Sequence, residues 1–264
     1  MDLQNPNYSY MLGFIQCDGH MRQHNKNKGS LTVELAYRDI DILHAFQKLT
    51  PYNSTISHRT RNTNYKLNYK SAVWSLFALE AREALLSVGM LTGKKSETIQ
   101  PPTINYIETD YIRGLIDADG SVGIDARGLP FISFTSKSKT LATIVSAYIK
   151  KVTDTRINPS LNTRDTIYSI TLFAEPAQKL MGNLYYKDCL CLKRKLKSVN
   201  TALKWKRPQS MRRCIGKRIW KKEEDSVVLS NSITEAAKLL DRTSASITMR
   251  RWRLLNKMNS FSFL

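Results

Sequence analysis

By residue type and spacing, Asp18 and Asp119 are the side chains in this sequence best placed to do chemistry. Each ends a short apolar stretch that carries one internal glycine. The first is Tyr10-Met11-Leu12-Gly13-Phe14-Ile15-Gln16-Cys17-Asp18-Gly19 and the second is Tyr111-Ile112-Arg113-Gly114-Leu115-Ile116-Asp117-Ala118-Asp119-Gly120. Each stretch reads as the last turns of a helix, with Gly19 and Gly120 as helix stops expected at φ > 0. An internal helical glycine costs about 1 kcal/mol, so Gly13 and Gly114 need a reason, and close approach of another helix supplies one. Two helices packed through these glycines bring their C-termini together, and Asp18 meets Asp119. The helix ends already carry partial negative charge and unpaired carbonyls. A divalent cation resolves the repulsion, and oxygen ligands of this kind suit Mg²⁺ (or Mn²⁺). Residues two apart on a helix point roughly 200° apart, so Asp117 and Asp119 do not face one ion. Gln16 stands at the Asp117 position of the first stretch. The expected ligands are therefore Asp18 and Asp119, with the backbone oxygens of Cys17 and Ala118. One such stretch alone reads as a buried helix ending in a polar turn. Two of them, with the aspartates 101 residues apart, favour a shared site.

The elements that must position these helices follow in the same order twice. In the first half a helix ending at Asp18 leads to a hairpin, His20–Lys26 and Leu31–Tyr37, turning at 27–29. Asp39 is expected to cap an amphipathic helix carrying Ile40, Ile42, Leu43, Phe46 and Leu49. A second hairpin pairs Thr55–Arg61 with Ala72–Leu79, and a helix over Glu80–Val88 stops at Gly89. Pro101-Pro102 marks a linker. Then Thr109 is expected to cap the helix to Asp119. Strands near Ser121–Asp125 and Phe131–Ser136 follow, then a helix Lys139–Val152, a hairpin of Arg156–Leu161 with Thr166–Phe173, and a helix starting near Pro176. The pattern predicts an α+β fold: two pseudo-symmetric αββαββα repeats, 1–96 and 109–200, joined by the linker 97–108. A basic linker, 201–218, leads to a small all-α domain, 219–264.

Composition narrows the partner. The chain has 264 residues, 41 Lys+Arg against 22 Asp+Glu and a net charge of +19. Such an excess points to a polyanion, nucleic acid first and an acidic membrane second. No apolar run is long enough to span a bilayer. The N-terminus, Met1-Asp2-Leu3-Gln4-Asn5, lacks the basic and apolar parts of a signal peptide, so an intracellular protein is expected. The cysteines Cys17, Cys189, Cys191 and Cys214 lack zinc spacing and read as reduced thiols. His20 and His24 have a spacing that suits a metal on a helix, but they follow a helix stop and are expected to point out of a strand.

Alternation on the strands exposes a polar face. Val122 and Ile124 would turn to the core, with Ser121, Asp125 and Arg127 outward. In the first half the outward set is His20, Arg22, His24 and Lys26, joined later by Arg59, Arg61, Lys66 and Lys70. Lys137, Arg156, Asn158, Asn162 and Arg164 extend it in the second half. A two-stranded ribbon fits the DNA major groove, where such side chains read base edges. A plain solvated sheet face would carry mixed charge. From Lys187 to Lys222 there are fourteen basic residues and one acid, Asp188, which suits tracking phosphates. Beyond Trp220, Ser232-Ile233-Thr234-Glu235 is a capping box. Asp241-Arg242 makes a turn, and Thr243 caps a last helix bearing Arg250 and Arg251. This is a helix-turn-helix pattern whose last helix suits a groove, with a small structural helical cap as the bland alternative.

The two decapeptides resemble the LAGLIDADG motif, nearly letter for letter over Gly114–Gly120 and more loosely in the first copy. Over roughly residues 8–200 the chain resembles a single-chain, two-repeat LAGLIDADG homing endonuclease. That resemblance implies a saddle of two antiparallel sheets on double-stranded DNA, with the motif helices at the domain interface. It implies a monomer that cuts both strands of a long asymmetric target and leaves 3′ overhangs. Asp18 and Asp119 would hold the metal, and Lys94 and Lys193 would stand at the family's basic active-site position. The family often has a glutamine at the end of the second strand; Tyr37 and Ser136 align there, which departs from the pattern. The tail from Trp220 resembles Myb-like or helix-turn-helix modules found beside homing endonucleases. Two other functions share the scaffold: a maturase acting on host intron RNA and a non-catalytic DNA-binding regulator.

Overall fold

The computed structural model describes residues 1–23, 27–64, 66–209, 211 and 220–259, the last three of these without their side chains. His24, Lys26 and Cys214 lie outside the described residues. The chain divides into two compact units, Met1–Arg207 and Pro208–Leu264.

The first unit is built on two helices that cross at glycine. α1 spans Pro6–Asp18 and α4 spans Glu108–Asp119. Asn5 caps α1 by accepting from the Asn7 amide, and Pro6 opens it. A Cβ on Gly13 would stand 2.3 Å from the Tyr111 carbonyl oxygen, and one on Gly114 would stand 2.2 Å from that of Tyr10. Each backbone therefore occupies the space that a side chain on the other helix would need. α4 begins at Glu108 with Ile107 before it, so Thr109 does not cap it. The Thr109 hydroxyl instead accepts from Tyr148.

Each motif helix runs into a four-stranded antiparallel sheet. β1 (Gly19–Gln23), β2 (Gly29–Ala36), β3 (Ser54–Arg61) and β4 (Tyr69–Leu76) pair in the order β1-β2-β4-β3. β5 (Gly120–Ile124), β6 (Pro130–Ser136), β7 (Ser160–Asn162) and β8 (Ile167–Phe173) pair in the matching order β5-β6-β8-β7. Between the hairpins run α2 (Ile40–Leu49) and α5 (Lys139–Thr153), and after them α3 (Leu79–Ser87) and α6 (Ala174–Leu184). Period-2 burial fixes one face of each sheet on the core. Met21, Leu31, Val33 and Trp74 do this in the first sheet, and Ile132, Phe134, Ile170 and Leu172 in the second. One continuous apolar core joins both halves through Tyr10, Phe14, Tyr111 and Leu115.

Several local expectations are corrected. Gly19 and Gly120 are extended, at φ −80° and −106°, not left-handed. Room is what makes them glycine: a Cβ at Gly19 would lie 2.4 Å from the Ile15 carbonyl oxygen, and one at Gly120 would lie 2.6 Å from those of Ile116 and Ser133. Asp39 makes no capping bond to α2. Arg156 and Asn158 precede β7 rather than sitting in it, and Ile124 is exposed at the sheet end beside Pro130. The segment after Leu192, inside the basic stretch that begins at Lys187, folds as a helix, α7 (Lys193–Leu203).

Among the described residues the second unit has three helices: α8 (Lys222–Ser230), α9 (Ile233–Leu239) and α10 (Ser244–Asn259). Ser232 and Glu235 form the expected capping box, and Thr243 accepts from the Ser246 amide. A small core of Val228, Ala236 and Ile247 is flanked by Trp220. Arg242 forks onto Glu224 at 2.9 Å and lies 3.8 Å over the Trp220 ring.

Candidate active site

The helix crossing delivers Asp18 and Asp119 to one place, each at the last residue before its sheet begins. Their proximity shows in their ionisation. Burial first and the Asp119 charge second raise Asp18 to about 6, against the pull of Lys195, Lys95 and Arg194. Burial raises Asp119 as well, opposed by a hydrogen bond from the Cys17 thiol and by both lysines. Asp18 keeps solvent-accessible surface although its surroundings are crowded, so the repulsion is partly screened.

Two buried lysines close the helix ends. Lys95 Nζ donates to the carbonyls of Ile15 (2.9 Å) and Gln16 (2.6 Å). Lys195 Nζ donates to those of Ile116 (2.6 Å), Asp117 (2.7 Å) and Gly120 (2.8 Å). A cation at a helix C-terminus answers both the unpaired carbonyls and the dipole. Burial lowers each ammonium to about 8, with nearby aspartates opposing the shift.

The basic residues expected at the site are thus displaced along the chain. Lys94 lines the adjoining pocket, while Lys193 is exposed and pairs with Asp41 at 2.6 Å. Helical phase explains the displacement at Lys195. It shares the buried face of α7 with Val199 and Ala202, and Leu192 just before the helix is buried too. Recognising α7 would have identified Lys195 from sequence. Lys95 lies in irregular backbone, where no periodicity marks it.

A polar layer beneath the aspartates locks the two helices. Asp117 is buried and accepts from the Tyr10 hydroxyl (2.7 Å), the Tyr185 hydroxyl (2.7 Å) and the Leu192 amide (2.8 Å). Its counterpart Gln16 accepts from the Tyr111 hydroxyl and donates to the carbonyls of Gly89 (2.9 Å) and Gln100 (3.0 Å). So Asp117 turns away from the Asp18–Asp119 pair, as the spacing argument required. Tyr10 and Tyr111 reach across the helix pair to each other's partner. Sequence reasoning passed over both because an aromatic on an apolar helix face reads as core.

The expected nucleic-acid contacts fall into three groups. In the first, side chains lie on the outward faces: His20 and Arg22 on β1, Arg59 and Arg61 on β3, and Ser121 on β5. Arg22 Nε donates to His20 Nε2, and Glu34 pairs with both Arg59 (3.2 Å) and Arg61 (3.0 Å). In the second, Lys66, Lys70, Arg156, Asn158, Asn162 and Arg164 are exposed at or near the strand ends, with Arg164 paired to Asp165. In the third, the side chains are engaged internally. Asp125 accepts from the amides of Arg127 and Leu129 and from the Arg127 guanidinium, closing the β5–β6 turn. Arg127 also lies 4.8 Å over the Phe173 ring. Arg250 pairs with Asp225 at 2.7 Å, and Arg251 donates to the carbonyls of Val228 and Asn231. These two arginines hold α10 on α8, in place of the outward role expected of them. At the glutamine positions, Tyr37 is exposed and packs its ring 5.4 Å from that of His58, whereas Ser136 is buried and accepts from the Ser138 amide.

Among the described residues no cluster of three or more His, Cys, Asp or Glu side chains is arranged to hold a metal. The donor set is two carboxylates and neighbouring backbone oxygens. Such a hard, incomplete set fits Mg²⁺, which keeps several waters and takes substrate phosphate oxygens for the rest of its shell. No described helix is long and apolar enough to cross a membrane. Cys17, Cys189 and Cys191 are free thiols.

Residues 107–174 match the family model for a LAGLIDADG-like domain. No curated protein matches the chain. Among solved structures, mesophilic variants of the homing endonuclease I-DmoI superpose with a TM-score of 0.51 at 13% identity, over 76% of this chain and 100% of theirs. The I-LtrWI LAGLIDADG homing endonuclease bound to target DNA gives 0.45 at 11% identity, over 75% and 88%. The N-terminal LAGLIDADG domain of DUF199/WhiA gives 0.46 at 12%, over 71% and 88%. The first of these likenesses supports the fold: two antiparallel four-stranded sheets carried on a central helix pair.

Proposed function

We propose that this chain is a single-chain, two-repeat LAGLIDADG endonuclease that hydrolyses both strands of a long, asymmetric DNA site with Mg²⁺ (or Mn²⁺), leaving 3′ overhangs. The observation that carries the reading is the convergence of Asp18 and Asp119 at two abutting helix ends, each backed by a buried lysine. In this reading residues 1–96 and 109–200 are the repeats. Residues 219–264 form a helical DNA-binding module that adds affinity to a site-reading sheet surface. The net charge of +19 supports a polyanionic partner.

The chain's own groups divide the work. Asp18 and Asp119 would hold the metal, with the Cys17 and Ala118 carbonyls adjacent. The bound ion would supply a water of lowered pKa and neutralise charge on the leaving oxygen. Lys95 and Lys195 tie down the helix-end carbonyls and keep positive charge beside the carboxylates. Asp117 and Gln16, braced by Tyr10 and Tyr111, fix the relative height of the two helices and so the separation of the aspartates. Outward side chains on the two sheets bind the duplex and set its register.

Incubating the protein with a randomised duplex library and Mg²⁺ tests the reading. Double-strand cutting within one long site supports it. Absence of cutting together with tight binding to an intron RNA would replace it with the maturase reading, and specific duplex binding without cutting would replace it with a regulator.

A further inference from the structure

The strap between α6 and α7 carries the two cysteines closest in sequence, Cys189 and Cys191, and the proposed hydrolysis uses neither. The chain leaves α6 through a turn in which the Cys189 amide donates to the Tyr186 carbonyl at 3.3 Å and Asp188 is left-handed, at φ 60°. It then passes along α4. Arg113, buried on that helix, donates to the Leu184 carbonyl (2.8 Å) and to the Leu190 carbonyl (2.9 Å), the one between the two cysteines. The Leu192 amide donates to buried Asp117 at 2.8 Å, and α7, which bears Lys195, begins at the next residue. The backbone that holds Asp117 is therefore continuous with the cysteine pair.

The two thiols are coupled directly. Cys191 donates its S–H to the Cys189 sulfur, and both side chains are half-buried, open to a small reagent. That hydrogen bond, and after it the Arg113 guanidinium, hold the Cys189 thiol below its ordinary range against burial and the charges of Asp117 and Asp110. The same bond and burial push Cys191 up. One sulfur is poised as thiolate and the other keeps its proton beside it, the division of labour of an attacking and a resolving cysteine. Two residues apart, their Cα atoms are separated by at most about 7 Å, and a disulfide spans about 4.4–6.8 Å, so closure needs only local rotation about Leu190.

We propose that Cys189 and Cys191 are a modification site for hydroperoxides, which convert the pair reversibly to a disulfide and slacken the strap's hold on Asp117. The Cys189 sulfur attacks the outer peroxide oxygen; the O–O bond breaks, water or an alcohol leaves, and Cys189 becomes a sulfenic acid. The Cys191 sulfur then attacks that of Cys189; the S–S bond forms, the S–O bond breaks, and hydroxide leaves with the Cys191 proton as water. The two electrons lost by the thiols reduce the peroxide. Drawing the sulfurs together to about 2 Å turns the Leu190 peptide away from Arg113 and pulls on the Leu192 amide. A small thiol reverses the bond by exchange. In a reducing compartment such a disulfide is transient and reports oxidant. The site stands whether or not the chain cuts DNA.

The full chain is treated with a stoichiometric amount of hydrogen peroxide near neutral pH, quenched with an alkylating reagent and digested with trypsin. Cleavage after Lys187 and Lys193 leaves both cysteines in one peptide, Asp188–Lys193. That peptide is expected to lose both alkylation sites and to regain them with dithiothreitol. Cysteines this close in sequence can also pair in an unfolded chain, so the rate is compared with that in urea; the folded pair should close at least about tenfold faster. In Cys191→Ser, Cys189 should stop at the sulfenic acid, trapped by dimedone; in Cys189→Ser, Cys191 should remain a thiol. Exchange of the Leu192 amide proton should quicken at least about tenfold in the oxidised wild type and slow again on reduction. A folded rate no greater than that in urea, a disulfide to Cys17 or Cys214 instead, or sulfenic acid on Cys191 overturns the site. Unchanged exchange at Leu192 overturns the slackened strap. The comparison of folded chain with urea uses wild type alone, so it decides the matter even where a serine variant fails to fold.

Discussion

Replacing Asp18 by asparagine removes one of two like charges at the abutting helix ends, and its effect on stability has a definite sign. The Asp18 carboxyl sits near 6 in the folded chain against an ordinary value of 3.8, raised first by burial and then by Asp119. A carboxyl whose folded pKa is raised favours folding while protonated. That contribution is complete below pH 4 and is lost as pH climbs through 6, so at neutral pH the ionised group opposes the fold. The full shift of about two units corresponds to ~3 kcal/mol. Because Asp18 keeps solvent contact, screening reduces this to about 1 kcal/mol. In a unit of this size that is a rise of about 2–4 °C in melting temperature. Thermal melts of wild type and Asp18→Asn in metal-free buffer at pH 4.0, 6.0 and 7.5 measure it. The variant should gain at pH 7.5 and gain nothing at pH 4.0. Added Mg²⁺ should raise the wild type and not the variant, erasing the difference. A variant less stable at pH 7.5, or a gain equal at all three pH values, would refute the convergence of the two carboxylates.

Three other substitutions probe the scaffold. Gly114→Val drives a side chain into the Tyr10 carbonyl, 2.2 Å from the new Cβ, so the helix pair must part; a loss of about 3 kcal/mol or more by urea unfolding is expected. Tyr10→Phe strips one of three donors from buried Asp117 and should cost about 1–3 kcal/mol by the same measurement. Glu224→Ala leaves the buried Arg242 guanidinium without its forked partner. It should cost about 3–5 kcal/mol and melt the second unit, read as lost helical circular dichroism, while the first unit's transition stays in place.

Much of this architecture is legible in the sequence because its two strongest signals are local and repeated. The paired decapeptides, each with a glycine five residues ahead of the closing aspartate, specify a crossing helix pair, and the structure has one. Alternation on β1 is legible too: His20 and Arg22 face outward as expected and Met21 between them is buried, whereas Ile124, expected inward, is exposed. What escaped depends on partners distant in the chain. Asp39 looks like a helix cap, yet its partner is Arg194, 155 residues away. Arg250 and Arg251 look like groove-reading side chains, yet Asp225 and two carbonyls hold them. Lys94 and Lys95 are equivalent on paper; only the fold turns Lys95 inward to Ile15 and Gln16. Gly19 and Gly120 were legible as glycine-requiring positions, but the requirement is space against neighbouring carbonyls rather than a left-handed turn.

The central claim is that Asp18 and Asp119 form one centre acting on DNA. The most direct measurement is strand cleavage of the selected target by wild type, Asp18→Asn, Asp119→Asn and the double variant under saturating Mg²⁺. Residues that work as a unit are strongly non-additive. Each single variant should lose at least about a thousandfold in rate, and the double variant should lose no more than the worse of the two. Either single variant cutting both strands within about tenfold of wild type, or losses that multiply in the double variant, would contradict a shared centre.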